Sequence, residues 1–364
     1  MKPFTVMAPG RAEVLGNHTD YNEGLVLSIA ISVRTTVCGK PAERHTLRLT
    51  SEKMQDGWTG DLGNLIPLQE PEPTWPNYVI GVAQALKERN IVFKGGDLMI
   101  SSNIPVGTGL SSSAALEMAS GLAFQQLGEF ELNTIELARA GQYAEHHFAG
   151  VQCGLLDQIS VLAGKSGHLT FIDCQSLEIR HLPLPRGWVF VIVDSGVNHA
   201  MSSGKYNKRR KACEAAAHAL KIASLRQVTP GELEVKKDQL DGTSFKCAMH
   251  PVGETARVAH AVSALAAGNI NVLGKLMFES HQSSIQYFEN SCAELDFLVA
   301  QAARHDACIG ARLSGGGFGG ATINLVKENQ AARFVKDMQN AYKVKYGSKP
   351  WTLITPACNG AHTV

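Results

Sequence analysis

The order of apolar and polar residues predicts a mixture of strands and helices along the whole chain. Short β-branched or alternating apolar runs predict strands at 4–8, 25–31, 33–37, 97–101, 168–173, 188–194, 320–326 and 351–355. Apolar residues at helical spacing predict helices over 75–88, 114–123, 133–148, 204–223, 254–268, 271–306 and 328–345. The two kinds of element alternate without a strict βαβ period, which argues against a regular doubly wound sheet.

The pattern changes at a polar, proline-containing stretch, residues 177–187, beyond which it becomes rich in helices. A chain of 364 residues is long enough for roughly two domains of about 150 residues, each with its own hydrophobic core. We therefore predict two domains, 1–180 and 181–364.

Charge and cysteine content exclude several classes of protein. Lys plus Arg number 34 and Asp plus Glu number 33, with no basic run, so we expect no nucleic-acid partner. The eight cysteines form no C-x-x-C pair, which argues against a zinc site or a disulfide framework and fits a reducing compartment. The sequence has no signal-peptide pattern and no run of 18 apolar residues. We predict a soluble, cytoplasmic protein with no membrane partner.

The segment 104–115, IPVGTGLSSSAA, joins a predicted strand to a predicted helix. The first turn of a helix has unpaired N–H groups and a partial positive charge, and it therefore favours an anion. Glycines allow the backbone to approach a polyphosphate, and serine hydroxyls can cap the helix or bind Mg²⁺. The segment lacks the lysine of a Walker A loop. It is either a phosphate loop of another kind or an ordinary turn with a serine cap.

Two further segments carry candidate chemistry. Residues 8–22, APGRAEVLGNHTDYN, place many polar side chains between two apolar strands, which suits directed hydrogen bonds to a polyhydroxylated ligand. Residues 313–320, LSGGGFGG, precede a predicted strand. The dinucleotide-binding motif needs a helix after its glycines, so this cluster does not indicate a Rossmann fold.

Together these three segments resemble the motifs of the galactokinases, a branch of the GHMP small-molecule kinases. P-G-R-x-x-x-x-G-x-H-T-D-Y-N, I-P-x-G-x-G-L-S-S-S-A-A and G-A-R-x-S-G-G-G-F-G-G occur here in the family's order. Shorter blocks at 153–158, 172–178, 205–210, 279–281 and 292–296 also match. The resemblance covers the chain from about residue 6 to residue 326.

The resemblance implies a two-domain α+β fold, with the active site in the cleft between an N-terminal α/β domain and a C-terminal ferredoxin-like α+β domain. It implies ATP-dependent phosphorylation of the anomeric C1 hydroxyl of galactose, the first committed step of galactose catabolism. One alternative is a related kinase that acts on N-acetylgalactosamine, arabinose or a uronic acid. Another is a non-catalytic sensor that binds sugar and ATP, although the intact phosphate loop argues against it.

The resemblance also implies roles for individual residues. Asp157 would be the catalytic carboxylate beside the sugar hydroxyl, and Arg11 its cationic neighbour. Sugar contacts would come from Glu13, Asn17, His18, Asp20, Gly154 and Tyr206. ATP would be held by Trp75, which would pack near adenine, and by Gly107, Thr108, Gly109, Leu110, Ser111, Ser112, Ser113 and Ala114. Ser113 (or Ser112) and Glu145 would position Mg²⁺. The implied partners are a hexose and ATP, and we expect a monomer or weak dimer.

The chain departs from the family pattern at two positions. Galactokinases usually have Glu where this chain has Asn17, and Asn where it has Glu13. If the segment is helical, residues four apart share a face, and the pair is kept with its members exchanged. If it is extended, the exchange alters the charge of the sugar pocket. We hypothesise that Asn17 broadens or redirects the choice of sugar within the galactose-like set.

Overall fold

Two sheets organise the fold of the computed structural model, which describes residues 2–42, 45–71, 74–197 and 203–364. The first sheet has eight strands: β1 Phe4–Leu15, β2 Leu25–Pro41, β3 Thr46–Ser51, β4 Gly57–Asp61, β5 Gly96–Ser102, β6 His168–Asp173, β7 Ile179–Pro183 and β12 His362–Thr363. The second sheet has four: β8 Trp188–Asp194, β9 Cys308–Leu313, β10 Ala321–Lys327 and β11 Thr352–Thr355.

The first sheet runs in the order β12-β1-β2-β5-β3-β4, and β6 pairs with both β2 and β7. Its pairs are antiparallel except β3 with β5, which is parallel. The register of β1 against β2 shifts between Pro9 and Arg11 and again between Glu13 and Leu15. Such bulges bend a strand and change the direction of its side chains. They occur in the part of β1 that carries the polar motif.

Helices cover both sheets. They are α1 Pro76–Glu88, α2 Ser112–Gly128, α3 Thr134–Ala144, α4 Leu156–Ala163, α5 Ser203–Ala219, α6 Pro230–Val235, α7 Gly242–Ala266, α8 Ile270–Ser283, α9 Ala293–Ala303 and α10 Ala331–Tyr346. Helix α2 packs against β1, β2, α1, α3 and α4 and is buried along most of its length. Its alanine-rich sequence allows this close packing on several sides. Among the described helices, none is long and apolar enough to cross a membrane.

Helix α8 packs closely on β9 of the second sheet, strand order β11-β8-β10-β9. A Cβ atom on Gly274 would lie 2.2 Å from the carbonyl oxygen of Ile309, so only glycine permits this approach. The contact places the end of α8 beside the glycine-rich loop, residues 314–320, that joins β9 to β10. This loop is called the second glycine loop below, and residues 105–111 are called the first glycine loop.

Several predicted elements have different limits in the structure. The strand predicted at 4–8 continues to Leu15, because its later polar side chains face a cavity and not bulk solvent. The helix predicted over 254–268 starts at Gly242, where the Asp241 side chain accepts hydrogen bonds from two backbone N–H groups, and it continues through Pro251. The helix predicted over 133–148 ends at Ala144 and is followed by a π turn over Glu145–Ala149.

The prediction of one long helix over 271–306 is wrong. Helix α8 ends at Ser283, a π turn covers Ser284–Phe288, and α9 starts only at Ala293. The break contains Asn290, which is fully buried and hydrogen-bonded to the second glycine loop. A tertiary contact therefore determines where this helix stops.

The division into domains 1–180 and 181–364 stays a prediction. Part of the predicted boundary, 177–187, forms β7, which pairs with β6 of the first sheet. Strand β12, from the end of the chain, pairs with β1. The first sheet therefore contains residues from both sides of the predicted boundary.

Candidate active site

The sequence motifs meet at a cavity of about 520 Å³ between the two glycine loops. The predicted residues that line it are Arg11, Glu13, Asn17, His18, Asp20, Gly107, Gly109, Leu110, Ser111, Ser112, Ser113, Glu145, Asp157 and Tyr206. A groove of about 590 Å³ lies elsewhere, on the outer face of the first sheet. Its charged residues Lys40 and Arg48 are both paired with Asp97, and it contains none of the motif residues. The cavity is therefore the candidate site.

Backbone contacts bring β1 and the two glycine loops together. The N–H of Arg11 donates to the carbonyl of Leu110 at 3.2 Å, and a Cβ on Gly10 would lie 2.8 Å from that oxygen. Gly315 has a φ of +81°, and a Cβ there would lie 3.0 Å from the carbonyl oxygen of Gly109. The glycines thus allow three chain segments to approach at backbone distance.

The Asp157 carboxylate, in the first turn of α4, is held by two donors. Arg11 donates from Nε to Oδ1 at 2.8 Å, and its Nη2 lies 2.7 Å from the same oxygen. The Ser111 hydroxyl donates to Oδ2 at 2.6 Å. Arg11 also donates from Nη1 to the carbonyl of Gly109 at 2.6 Å. These contacts fix the carboxylate. Because Asp157 is 29% exposed, against 5% for Arg11, the carboxylate is also accessible from the cavity.

Ser111 does not cap helix α2. It occupies the N-cap position in the left-handed conformation, with φ +56°, and its hydroxyl donates to Asp157 and not to the helix backbone. Within the described chain, no side chain caps this helix. The N–H groups of the first turn are thus available to an anion in the cavity. Of the two interpretations left open by the sequence, the geometry favours the phosphate loop.

A pair of glutamates lies beside the start of α2. Glu117 is fully buried and accepts a hydrogen bond from Nε2 of Gln158 at 2.9 Å. Burial raises the pKa of Glu117 well above its usual value, and the charge of Glu145 raises it further. Burial also raises the pKa of Glu145, whose carboxyl group interacts with the carboxyl of Glu117 and the hydroxyl of Ser113. Burial favours the protonated form of Glu117, the more deeply buried of the two, and Glu145 and Ser113 both line the cavity.

His18 is held in one orientation at the opposite side of the cavity. Its Nε2 lies 3.1 Å from the carbonyl oxygen of Gly316, and its Nδ1 lies 2.9 Å from the hydroxyl of Tyr21. A carbonyl can only accept, so Nε2 carries the proton and Nδ1 accepts from Tyr21. The ring also packs against Tyr206 and Phe288, at centroid distances of 5.2 and 4.2 Å.

Asp20 is another carboxylate of the cavity whose pKa is raised. Burial, followed by the negative charges of Asp157 and Glu13, raises the pKa of Asp20 from 3.8 to about 7. Gly154 lies directly against it, since a Cβ on that glycine would be 2.2 Å from Asp20 Oδ2. Asp20 therefore changes charge near neutral pH and depends on a glycine neighbour for its position.

Four predicted site residues do not line the cavity. Gly154 supports Asp20 from behind, Ala114 is buried in α2, and the Thr108 hydroxyl donates to the carbonyl of Pro105 within the loop. Trp75 precedes α1, and its indole N–H donates to Asp56 at 2.9 Å. The contact of Trp75 with adenine stays a prediction.

Seven residues that line the cavity were not predicted from the sequence: Tyr78, Val106, Val151, Cys153, Leu156, Gly315 and Gly316. Tyr78 lies one helical turn after Trp75, so helical periodicity could have identified it. Gly315 and Gly316 belong to a motif that was recognised without a site role. The sequence gives no local signal for Val151, which precedes α4 in an irregular segment.

Comparisons with known proteins agree with this geometry. The family described as "Galactokinase galactose-binding signature" matches residues 1–41, "GHMP kinases N terminal domain" matches 77–165, and "GHMP kinases C terminal" matches 261–344. A galactokinase of Chloroflexus aggregans is 40% identical over 98% of this chain and 92% of its own length. A galactokinase of Mannheimia succiniciproducens is 39% identical, with 99% and 94% covered.

Solved structures give the same result. The Lactococcus lactis galactokinase complexed with galactose superposes with a TM-score of 0.95 at 30% identity, covering 100% of this chain and 95% of the other. The mevalonate kinase of Methanococcus jannaschii, at 19% identity and a TM-score of 0.69, supports the fold alone. The predicted α+β GHMP fold is confirmed. This chain belongs to the galactokinases, within the GHMP kinase family.

Proposed function

We propose that this protein transfers the γ-phosphoryl group of ATP to the anomeric C1 hydroxyl of galactose, giving galactose 1-phosphate and ADP. The observation that carries the proposal is the Asp157 carboxylate. Arg11 and Ser111 fix it between the uncapped start of α2 and the polar motif of β1. A nucleophilic hydroxyl and a phosphate chain can meet at that carboxylate.

The first glycine loop and the start of α2 would bind the triphosphate. These residues line the cavity, so their backbone N–H groups and the hydroxyls of Ser112 and Ser113 would be the groups that contact the phosphates. The opposite wall would bind the sugar through Asp20, His18 and Tyr206, with Gly154 supporting Asp20. Hydroxyl groups of a sugar can both donate and accept, which suits this mixed set of side chains.

Ser113 and Glu145 fit the binding of Mg²⁺. Both residues line the cavity, carry side-chain oxygen atoms and interact with each other. Mg²⁺ prefers oxygen ligands and is usually shared between one or two protein groups and substrate phosphates. When bound, the ion would neutralise charge on the transferring phosphates. Glu117 would hold the Glu145 carboxylate in place by donating its proton to it.

The reaction follows from these positions. The C1 oxygen forms a bond to the γ-phosphorus as the bond to the β–γ bridging oxygen breaks. Because phosphoryl transfer passes through a loose transition state, position and charge neutralisation matter most. Arg11 neutralises charge on the phosphoryl oxygens and holds Asp157 in place. Asp157 orients the sugar hydroxyl and accepts its proton late in the transfer.

A panel of monosaccharides tests this proposal. ADP release would be measured with galactose, N-acetylgalactosamine, arabinose, galacturonic acid and glucose, with a sugar-free reaction as the control. We expect the highest kcat/KM with galactose and a product whose phosphate is on the anomeric carbon, identified by phosphorus NMR. Absence of ADP release with galactose above the control would refute the proposal. The predictions of a monomer or weak dimer and of a cytoplasmic location stay predictions.

A further inference from the structure

A fully buried ion pair lies behind the sugar side of the cavity. Nη1 of Arg312 lies 2.7 Å from Oε1 of Glu13 and also donates to the backbone carbonyl of Glu13 at 3.3 Å. The two side chains are 0% and 2% exposed. Burial raises the pKa of Glu13, and the guanidinium of Arg312 opposes that rise. The pair joins β1 to β9, immediately before the second glycine loop.

Asn17 fills the space between this ion pair and the loop, and its side chain is fully hydrogen-bonded within the protein. Nδ2 donates to the Gly315 carbonyl at 2.7 Å and to Oε2 of Glu13 at 3.3 Å. Oδ1 accepts from Nδ2 of Asn290 at 3.1 Å and from Nε2 of His250 at 3.2 Å. An amide has two protons to donate and two lone pairs to accept, and all four are used. Asn17 is 1% exposed.

His250 supports this assignment. Its other ring nitrogen, Nδ1, lies 2.9 Å from the Ser283 hydroxyl, which can donate to it. Burial lowers the pKa of His250 well below its usual value, so the ring stays neutral with one donor and one acceptor. Its single N–H is thus directed at Asn17 Oδ1, which leaves that oxygen as an acceptor.

The chemistry at positions 13 and 17 is mutually dependent. A carboxylate at position 17 would have no proton to donate to the Gly315 carbonyl, and it would face the carboxylate of Glu13. An amide at position 13 would leave the buried Arg312 guanidinium without its ion-pair partner. The acid and the amide are therefore a matched pair, which the chain brings into contact by turning at Gly16, where φ is +98°.

The network ends at a predicted sugar contact. The Asn290 amide that donates to Asn17 also donates to the Gly316 carbonyl at 3.1 Å, and the same carbonyl accepts from His18. A Cβ on Gly317 would lie 2.2 Å from the Asn290 carbonyl oxygen, so the loop fits closely around this residue. Moving Asn17 would therefore move the loop and the ring of His18.

We propose that Asn17 is a positioning residue. Its amide holds the second glycine loop and, through the Gly316 carbonyl, the His18 ring against the sugar cavity, and it makes no direct hydrogen bond to the sugar. The inference rests on the proposed function, because it takes the ligand of this cavity to be galactose.

Deoxygenated substrates distinguish positioning from direct contact. We would measure kcat/KM of the wild type and of Asn17→Ala for galactose and for 2-, 3-, 4- and 6-deoxygalactose. We expect Asn17→Ala to lower kcat/KM for galactose by about tenfold, the value of roughly one well-formed hydrogen bond. The ratio of wild type to variant should stay constant within about threefold for every deoxy sugar, because no sugar hydroxyl is its partner.

Asp20→Asn is the matched control, because a residue that contacts a sugar hydroxyl should lose its effect when that hydroxyl is absent. A ratio near one for Asn17→Ala with any single deoxy sugar would overturn the positioning role. A wild type that does not phosphorylate galactose would instead refute the proposed function. If Asn17→Ala does not fold, Asn17→Asp, which keeps the acceptors and loses the donors, is tested on the same panel.

Exchange variants test the matched pair. Asn17→Glu and Glu13→Asn should each raise the KM for galactose. For the double variant E13N/N17E, the rise in KM over the wild type should be at least about tenfold smaller than the product of the two single-variant rises. Galactose affinity without ATP, measured by calorimetry, should follow the same order. Single effects that simply multiply in the double variant would overturn the proposed coupling.

Discussion

Two arginine–carboxylate pairs begin on β1, two residues apart, and they differ in their surroundings. Arg11 pairs with Asp157 at 2.7 Å, and the carboxylate is 29% exposed to the cavity. Glu13 pairs with Arg312 at the same distance, and neither side chain is more than 2% exposed. The first pair leaves its carboxylate open to the cavity. The second pair belongs to a hydrogen-bond network that is enclosed within the protein.

The two pairs contain the same types of residue, so the difference in burial, and not the residue type, determines what each pair can do. A buried pair has lost its hydration, so each charge depends on the other, and removal of one member leaves an uncompensated charge. A pair at a cavity keeps one side open, so its carboxylate can exchange water for substrate. Alternate residues on a strand share a face, and β1 pairs with β2 in continuous register from Arg11 to Glu13. The two side chains therefore differ because different elements pack against them.

The largest expected effect comes from breaking the buried pair. Glu13→Ala leaves the Arg312 guanidinium buried and unpaired, and we expect the free energy of unfolding to fall by about 3–5 kcal/mol. Urea denaturation monitored by circular dichroism measures this change. The double variant Glu13→Leu with Arg312→Met removes both charges and should recover most of the loss. A loss below about 1 kcal/mol in Glu13→Ala would show that the pair does not stabilise the fold.

The cavity pair should respond in activity and not in stability. Asp157→Asn removes the carboxylate that we propose to accept the sugar proton, and we expect kcat to fall by at least about 100-fold. The melting temperature should change little, because the site is partly open to water. Steady-state ADP release and a thermal melt measure the two quantities on the same sample. Turnover close to that of the wild type in a folded variant would exclude Asp157 from the proposed role.

The raised pKa of Asp20 predicts that the stability of the protein depends on pH. The pKa of Asp20 rises from 3.8 to about 7 on folding, so between these pH values the folded chain binds more protons than the unfolded chain. Stability contributed by the neutral carboxyl is thus lost as pH rises from about 4 to above 7. We expect Asp20→Asn to be more stable than the wild type near pH 8, where the buried carboxylate is charged, with little difference near pH 4.

Denaturant titrations near pH 4 and near pH 8 measure this difference in stability between Asp20→Asn and the wild type. Galactose binding to the same variant should also weaken. An equal stability difference at both pH values would contradict the elevated pKa of Asp20.

A surface pair provides the smallest effect. Asp97 is paired with Lys40 at 3.4 Å and with Arg48 at 3.2 Å, and both cations are more than half exposed. We expect Asp97→Asn to cost less than about 1 kcal/mol and to leave kcat unchanged. This variant carries the same chemical change as Asp157→Asn, so it also controls for the loss of one negative charge. A larger cost, retained in high salt, would show that exposure does not order these three pairs.

Local sequence patterns predicted most elements of the fold, and the family resemblance identified most residues that line the cavity. They failed where distant contacts determine the outcome. The helix over 271–306 is interrupted because Asn290 packs on the second glycine loop. Asn17, expected from the resemblance to contact the sugar, has its four hydrogen-bonding positions occupied by groups up to 298 residues away.

The sequence by itself determined the kinds of residue in each motif, the strand–loop–helix unit at the first glycine loop, and the family to which they point. Periodicity, glycines and capping residues act over a few positions and can be recognised locally. The family resemblance implied that Arg11 neighbours Asp157, 146 residues away, and the structure shows the contact. The tertiary structure alone decided that Glu13 faces Arg312, 299 residues away, and that this second pair is buried. The partner of a side chain and its burial depend on which elements pack together. That packing leaves one charged pair of β1 open to the cavity and buries the other inside the protein.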